Sequence, residues 1–323
     1  MMPGDKIYDV VIIGCGNIGC FYDSPGTAEI LSYAHAFNAA PGFKIKGFVD
    51  IELDRARRAA MVWDSNYYTD FREAMDKCQP QVICVAVPDK YHCQLLTQLA
   101  DYPLDVIIAE KPLATSIEEA MQIKRSYAHS STAVAVNYTR RFIPEFLHLR
   151  NSIKEGHFGL FLSGTGYYGK GLLHNGSHHL DLIRFLLGEI CSGEPFAYEH
   201  DYYDDDPSIS AVLQLQNGRK FVLQSVDCRA YTLFEMDLLF QKKRIRIINA
   251  GFEIEEYDVT EDAFFKDYFS LEPGRRVQTS LPQAMFWVVD SIYEYLQEGK
   301  ALPCTLEDGY QLVGLCENLK RVI

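Results

Sequence analysis

Residues 10–19, VVIIGCGNIG, join a run of four β-branched residues to three glycines in the spacing GxGxxG. The apolar run predicts a buried strand. Gly14 permits the tight turn after the strand, Gly16 lets the backbone approach a ligand, and Gly19 lets a helix pack on the strand. A pyrophosphate is favoured at the helix N-terminus that follows, by its N–H groups and dipole. The stretch therefore predicts a dinucleotide site, with these contacts: Gly14, Gly16, Asn17, Ile18 and Gly19.

Around this stretch the chain alternates strand and helix patterns up to Asn137. Apolar strands are predicted at 8–13, 44–49, 81–87, 105–109 and 132–137, with helices at 32–40, 53–61, 91–99 and 117–126. Ser116 with Glu119 three residues later indicates a capping box at the start of the last helix. Strands that are apolar throughout and separated by helices predict a doubly wound parallel sheet, an α/β Rossmann domain over residues 1–138.

After Asn137 the pattern changes. Helices are predicted at 142–155, 178–187, 283–297 and 306–321, and strands at 159–168, 210–215, 220–225, 233–240, 244–248 and 252–257. Asn217 and Gly218 lie between two of these strands and indicate a tight hairpin turn. Residues 139–323 are therefore predicted to form an α+β domain with an open, mainly antiparallel sheet.

Composition excludes several classes of function. The 323 residues carry 31 Lys+Arg against 44 Asp+Glu, a net charge of −13, which argues against nucleic-acid and anionic-membrane partners. No apolar run approaches the roughly 18 residues of a membrane span, and residues 1–10 lack the basic head of a signal peptide. Nine scattered cysteines without CxxC spacing suggest buried thiols in a reducing compartment. These features predict a cytoplasmic protein.

Asp50 ends the second predicted strand. A carboxylate there accepts hydrogen bonds from an adenosine ribose and repels a 2′-phosphate, which favours NAD over NADP. Glu52 adds to that repulsion, and no arginine follows Asp50 directly. Asp50 lies about ten residues farther from the glycines than is usual, and the segment FYDSPGTAEI at 21–30 explains the difference as an insertion. The alternative is that Asp50 is an ordinary surface carboxylate.

Glu110, Lys111 and Pro112 follow the fourth predicted strand. In open α/β sheets this edge is where ligands bind. Lys111 is expected near the nicotinamide end of a bound cofactor, where a cation can polarise a hydroxyl or carbonyl oxygen. Pro112 can set a cis bond that directs it. Taken alone, a lysine after a strand is usually a solvated surface residue.

The order and spacing of several motifs resemble the Gfo/Idh/MocA family, the glucose–fructose oxidoreductase and inositol dehydrogenase enzymes. These motifs are GCGNIG at 14–19, VPD at 87–89 with His92, EKP at 110–112, NYTRRF at 137–142, GHFG at 156–159, and NGSHHLD at 175–181 with LG at 187–188. The resemblance implies a Rossmann domain, an α+β domain with an open sheet, and a homodimer or homotetramer formed through that sheet. It also implies reversible oxidation of a sugar-like alcohol and cofactor contacts at Pro88, His92 and Glu110.

The same resemblance implies the catalytic pair, Lys111 and His178. Lys111 would hold the substrate oxygen, and His178, with an ordinary pKa of about 6.5, would take the alcohol proton. An aspartate of the family pattern falls on His174, which is a departure. The substrate contacts implied are Arg141, Tyr168, His174, Asn175 and Asp181. Structural roles are the alternative for His178, and pairing with surface acids for Arg141.

Two questions stay open at this stage. His174 and His178 have a metal-ligand spacing, but Gly176 weakens a helix there, so no metal site is expected. The resemblance implies hydride transfer between NAD(H) and a carbinol or ketone of a sugar or sugar derivative, nucleotide sugars included. A non-catalytic regulator that senses NAD or sugar, or a reductase of a non-sugar substrate such as a dihydrodiol or tetrapyrrole, is the alternative.

Overall fold

The computed structural model describes residues 6–321, and the chain divides into two compact units. The first contains the chain up to Phe142 together with Pro282–Gly314, and the second contains Ile143–Leu281 together with the chain from Leu315 onward. This division by compactness differs from the predicted division by function at residue 138. The residues before Lys6, part of the segment judged for a signal peptide, lie outside the described residues.

The first unit contains, within the described residues, a six-stranded parallel sheet. Its strands are β1 (Tyr8–Ile13), β2 (Phe43–Val49), β3 (Asn66–Tyr68), β4 (Val82–Val85), β5 (Val106–Ala109) and β6 (Ala133–Val136), in the order β3-β2-β1-β4-β5-β6. All four residues of β4 and of β5 are buried, as expected when helices cover both faces. The predicted doubly wound sheet is confirmed. Its order reverses between β1 and β4, where such sheets bind ligands.

Helices α1 (Tyr33–Ala39), α2 (Leu53–Trp63), α3 (Phe71–Cys78), α4 (His92–Leu99) and α5 (Ile117–Ser126) follow the strands of this unit. Ser116 caps α5 by accepting the Glu119 N–H, as predicted, whereas the Glu119 carboxylate accepts from Thr115 rather than from Ser116. The sequence patterns missed β3 and α3. β3 is three residues long and largely exposed, so it has no apolar run.

The helix after the glycines is a single π-helical turn, Asn17–Phe21. The predicted insertion follows it, and α1 begins only at Tyr33. The buried Asp23 carboxylate closes this segment, because it accepts from the backbone N–H groups of Leu31 and Ser32 and contacts the Ser32 hydroxyl and the His35 ring. The insertion is thus anchored at its base by one buried acid.

The second unit contains a mixed sheet. Its strands are β7 (Phe161–Tyr168), β8 (Ile190–Glu199), β9 (Ser208–Leu215), β10 (Lys220–Ser225), β11 (Phe234–Phe240), β12 (Lys243–Ile248), β13 (Glu253–Glu261), β14 (Phe269–Leu271) and β15 (Arg275–Gln278). The order is β14-β13-β12-β11-β7-β10-β9-β8, and β15 pairs with β13. The pairing is antiparallel except between β7 and β10. The predicted open, mainly antiparallel sheet is confirmed.

The remaining helices are α6 (Pro144–Lys154), α7 (Ser177–Leu187), α8 (Ala284–Glu298) and α9 (Leu306–Lys320). α8 belongs to the first unit, where the Tyr8 hydroxyl donates to the Leu296 carbonyl. Among the described residues, no helix combines the length and the apolar character that crossing a membrane requires. The nine cysteines, all within this part of the chain, form no disulfide.

Candidate active site

The glycine loop after β1 has the geometry that its spacing predicts. Gly14 has φ +102°, and a Cβ there would lie 2.5 Å from the backbone of Ala86. A Cβ at Gly19 would lie 2.1 Å from the Gly14 carbonyl oxygen. At Gly16, by contrast, no heavy atom of the described residues lies within 4 Å of a Cβ. The first and third glycines therefore close the turn, and the second leaves open space beside the backbone.

A cavity of about 880 Å³ opens beside this loop. Such a volume is typical of a small-molecule site. Its walls are the glycine loop, the end of β2, the start of α3 and the β4–α4 connection, all in the first unit. Six of the predicted cofactor residues line it: Gly14, Gly16, Asn17, Ile18, Asp50 and Pro88. That they bind a cofactor stays a prediction.

Asp50 is buried at the wall of this cavity. Its carboxylate accepts the Cys15 N–H at 2.9 Å, the Glu52 N–H at 2.9 Å, and Arg55 Nη2 at 3.0 Å. Asp50 thus ties the glycine loop to β2 and also holds a guanidinium that is 53% exposed. Arg55 lines the cavity as well. The role of Arg55 was not predicted, because only the residue directly after Asp50 was considered as a contact for a 2′-phosphate.

Glu110 belongs to a network of buried side chains behind β5. Its carboxylate accepts the Tyr33 hydroxyl at 2.6 Å and Asn137 Nδ2 at 2.7 Å. Burial and the Glu110 charge raise the pKa of Tyr33 well above its usual value, so Tyr33 stays a donor. The next peptide bond, Lys111–Pro112, is cis, as predicted. The network joins α1, β5 and the end of β6 directly behind the backbone that carries Lys111.

His92 was predicted to contact the cofactor, and that contact stays a prediction. The ring is buried, with Nδ1 2.8 Å from the Pro112 carbonyl oxygen and Nε2 3.0 Å from the Val87 carbonyl oxygen. Both nitrogens therefore face backbone rather than a ligand. His92 joins the β4–α4 connection, which contains Pro88, to the loop of Lys111, and acts on the cavity through its backbone.

Residues 170–179, which we call the histidine segment, follow β7 in the second unit. Gly171 has φ +83° and leads into a π-helical turn, Leu172–Gly176, which continues as α7. His174 lies in the turn, and His178 lies in the first turn of α7, partly exposed, with its ring 6.3 Å from that of Phe234. His179 is fully buried, and its Nε2 donates to the Tyr167 carbonyl at 2.9 Å.

Three predicted substrate contacts have buried side chains, and their role as contacts stays a prediction. Tyr168 is fully buried, and its hydroxyl donates to the Ile209 carbonyl and accepts the Ile209 N–H. Arg141 is buried against Asp308, at 3.0 Å, and the Pro303 carbonyl. Asp181 is buried in α7. Each is a polar residue next to a motif, and such a pattern does not distinguish a ligand contact from a core partner.

The other two predicted contacts, His174 and Asn175, keep partly exposed side chains. Asn175 Nδ2 donates to the Gly169 carbonyl at 2.7 Å. His174 Nδ1 lies 2.7 Å from Oδ2 of the buried Asp206, which also accepts the N–H groups of Leu173 and His174. The sequence analysis missed Asp206, because it is 32 residues away in a run of three aspartates that resembles solvated loop.

Asp206 is ionised at any ordinary pH. Burial by itself raises the pKa of this carboxyl, but hydrogen bonds from His174 and Lys320 and the Lys320 charge outweigh it and lower the pKa to about 2. The Lys320 ammonium lies 2.5 Å from Oδ1. Within residues 6–321, no cluster of three or more His, Cys, Asp or Glu side chains is arranged to hold a metal ion.

Comparison with known proteins agrees with the fold and the glycine loop. A family model described as "Oxidoreductase family, NAD-binding Rossmann fold" (GFO_IDH_MocA) matches residues 8–138. Inositol 2-dehydrogenase of Corynebacterium glutamicum is 24% identical over 273 residues, 76% of this chain and 77% of that protein. The chain spans 36% and 40% of the length of two Bacillus subtilis oxidoreductases, YteT and YrbE, at 28% and 25% identity.

Solved structures share the fold over nearly the whole chain. A levoglucosan dehydrogenase, in complex with NADH and levoglucosan, has a TM-score of 0.80 at 17% identity, over 98% of this chain and 97% of the other. The WlbA dehydrogenase of Bordetella pertussis, in complex with NADH and UDP-GlcNAcA, has a TM-score of 0.79 at 14% identity, over 98% and 96%. Residues 8–138 therefore match the Gfo/Idh/MocA family model of an NAD-binding Rossmann domain, and the solved structures share the fold of the chain as a whole.

Proposed function

We propose that this protein is an NAD(H)-dependent oxidoreductase that interconverts a carbinol and a ketone of a sugar or sugar derivative. The observation that carries the proposal is the glycine loop, which leaves open space at Gly16 beside a cavity walled by Asp50. The named substrates of similar proteins, inositol, levoglucosan and a nucleotide sugar, support a polyhydroxylated substrate. A nucleotide sugar is the finer alternative within this class.

The residues present fit a dinucleotide. The loop around Gly16 offers backbone N–H groups at the start of the turn Asn17–Phe21, where an anion is favoured. Asp50 offers a carboxylate to ribose hydroxyls, and Arg55 beside it offers a guanidinium. When bound, the nicotinamide supplies a carbon that accepts or gives a hydride.

We assign stabilisation of charge on the substrate oxygen to Lys111 and transfer of its proton to His178. Oxidation of the carbinol removes a hydride from carbon and a proton from oxygen, and the O–H electron pair becomes the second C–O bond. Lys111 stabilises the negative charge that develops on this oxygen, and His178 takes the proton. In the reductive direction His178 returns the proton to the ketone oxygen. A homodimer or homotetramer stays a prediction.

The test begins with NADH and NADPH titrations of the purified protein, followed by fluorescence after any retained nucleotide has been removed. A panel of cyclic polyols, sugars, nucleotide sugars and non-sugar alcohols is then assayed by the absorbance of NADH. Turnover of a polyhydroxylated substrate supports the proposal. Turnover of only non-sugar substrates, or NADH binding without any turnover, contradicts it and favours a reductase of another class or a regulator.

Variants test the residue roles. Lys111→Met and His178→Gln are each expected to lower kcat by about 10²-fold or more, with NADH binding by His178→Gln unchanged. Lys154→Met and His148→Gln, exposed residues of α6, are the matched controls and should keep full activity. Full activity in His178→Gln would overturn its assignment as the base.

A further inference from the structure

The connection between β8 and β9 holds the histidine segment from the side. We call residues 200–207 the acidic loop; two of its aspartates, Asp201 and Asp206, are buried, whereas Asp204 and Asp205 are exposed. Asp201 accepts the Lys170 N–H at 2.6 Å and the Ser208 hydroxyl at 2.9 Å. Asp206 accepts two further N–H groups at the start of the turn Leu172–Gly176. Two buried carboxylates therefore hold the backbone of the histidine segment through its N–H groups.

The ring of His174 is fixed more closely than backbone pinning requires. Its Nδ1 lies 2.7 Å from Asp206, and the ring stacks on Tyr203 with centroids 4.0 Å apart and planes 20° apart. A carboxylate only accepts, so Nδ1 carries the hydrogen. Any proton that the ring gains or loses is consequently exchanged at Nε2. The side chain of His174 is 22% exposed, whereas that of Asp206 is 2% exposed.

His174 and His178 lie four residues apart along one continuous helical segment, so their side chains are on the same face. A molecule that meets His178 with one hydroxyl can meet His174 with a second one. Asn175 and His179, the next residues along the chain, are turned to the Gly169 and Tyr167 carbonyls instead.

We propose that Asp206 is a positioning residue that orients His174, and that His174 Nε2 binds a second hydroxyl of the substrate beside the one that reacts. This inference rests on the proposed function and deepens it: the substrate is a polyol with neighbouring hydroxyls. The arrangement follows the logic of an Asp–His pair, in which the carboxylate selects the tautomer and stabilises the charged ring.

The charged and titratable groups around the pair come from three elements. Asp206 and Tyr203 belong to the acidic loop, Lys320 and Cys316 to α9, and Tyr168 to β7. Lys320 shares the Asp206 carboxylate with His174, so it competes with the ring for the same negative charge. Loss of Asp206 and loss of Lys320 therefore act on the His174 ring in opposite directions.

The first experiment needs no substrate. The full chain labelled with ¹⁵N-histidine is titrated by NMR, and the His174 signal is assigned by its loss in His174→Gln. Asp206→Asn is expected to lower the His174 pKa by about one unit or more. Lys320→Met is expected to raise it, and Asp205→Asn, which removes an exposed charge of the same loop, to leave it unchanged. An unchanged His174 titration in Asp206→Asn overturns the positioning role.

The second experiment compares an active polyol with its analogue that lacks the neighbouring hydroxyl. In the wild type the deoxy analogue should have kcat/KM lower by about tenfold or more. In His174→Gln and Asp206→Asn this ratio should fall towards one, whereas Asp205→Asn should keep it. If the wild type is active and the ratio is the same in all variants, the substrate role of His174 is wrong. If the wild type turns over no polyol, the proposed function fails, and the substrate role falls with it.

Asp206→Asn can also fail by unfolding, which a urea titration of each variant detects. In that case the His174 pKa in Lys320→Met tests the positioning role, because this variant keeps the contact between Asp206 and His174. A His174 pKa that falls in Lys320→Met overturns the pair. A pKa that rises supports it.

Discussion

The glycine loop of the first unit and the histidine segment of the second unit have similar backbones, but different groups face their N–H groups. Each has a glycine with positive φ before a π-helical turn, Gly14 before Asn17–Phe21 and Gly171 before Leu172–Gly176. Beside Gly16 there is open space, whereas a Cβ at Gly171 would lie 2.3 Å from the Asp206 carboxylate. The N–H groups of the first turn are thus available to an external anion, and those of the second already bind an anion of the chain itself.

This difference separates two uses of one backbone device. Where the N-terminus of a helical turn faces a cavity, it binds a ligand. Where a buried carboxylate fills it, the turn becomes a rigid support for the side chains that it carries. Substitutions at the first turn should therefore change cofactor affinity. Substitutions at the second should change the free energy of unfolding and the pKa of His174.

The largest expected effect separates the two kinds of glycine in the first loop. Gly14→Ala places a Cβ 2.5 Å from Ala86 in a backbone conformation that alanine rarely adopts, so the free energy of unfolding should fall by about 3 kcal/mol. Gly16→Ala meets nothing and should unfold like the wild type, but it should weaken NADH binding. Urea unfolding and NADH titration measure both. Equal destabilisation by the two variants would contradict this distinction.

The second prediction concerns the pH dependence of the filled turn. The pKa of Asp206 is about 2 in the folded chain and about 4 when unfolded. A lowered pKa means that its contribution, about 3 kcal/mol, is present above pH 4 and is lost as the pH falls towards 2. The wild type should therefore exceed Asp206→Asn in unfolding free energy at neutral pH, and the gap should close in acid. A gap independent of pH would contradict an ionised Asp206.

The comparison also shows what could be predicted from the sequence. The glycine loop and β1 are local patterns, so residue spacing alone indicated them, and Asp50 was indicated by its place at the end of an apolar strand. The partner of His174 is 32 residues away, and its burial depends on how the acidic loop folds over the histidine turn. The burial of Tyr168 and Arg141 was not predicted, because a polar side chain in or near a motif can equally be a core partner. α3 was missed because four of its eight residues are charged, so few apolar residues mark its buried face.

The third prediction tests which of the two nucleotides binds beside the open turn. Asp50 repels a 2′-phosphate, whereas Arg55, held on the same carboxylate, attracts one. Asp50→Ala should shift the ratio of NADH to NADPH affinity towards NADPH by about tenfold or more, or about 1.4 kcal/mol. Arg55→Met should shift it the other way. Fluorescence titration with both nucleotides measures the ratio, and Lys154→Met is the control. If Asp50→Ala leaves the ratio unchanged, the preference for NAD does not depend on Asp50.

The smallest expected effect concerns a helix whose N-terminal N–H group is bound by a side chain of its own N-cap residue. At α5 the Ser116 side chain itself accepts the Glu119 N–H, with neither a ligand nor a distant carboxylate. Ser116→Ala should lower the free energy of unfolding by about 1 kcal/mol, and Ser116→Asp, which keeps an acceptor, should restore most of it. Neither change should alter NADH affinity or the His174 titration, because a local cap stabilises only its own helix. A change in NADH affinity in Ser116→Ala would mean that α5 is coupled to the cofactor cavity, and that a local cap and a ligand turn are not independent in this unit.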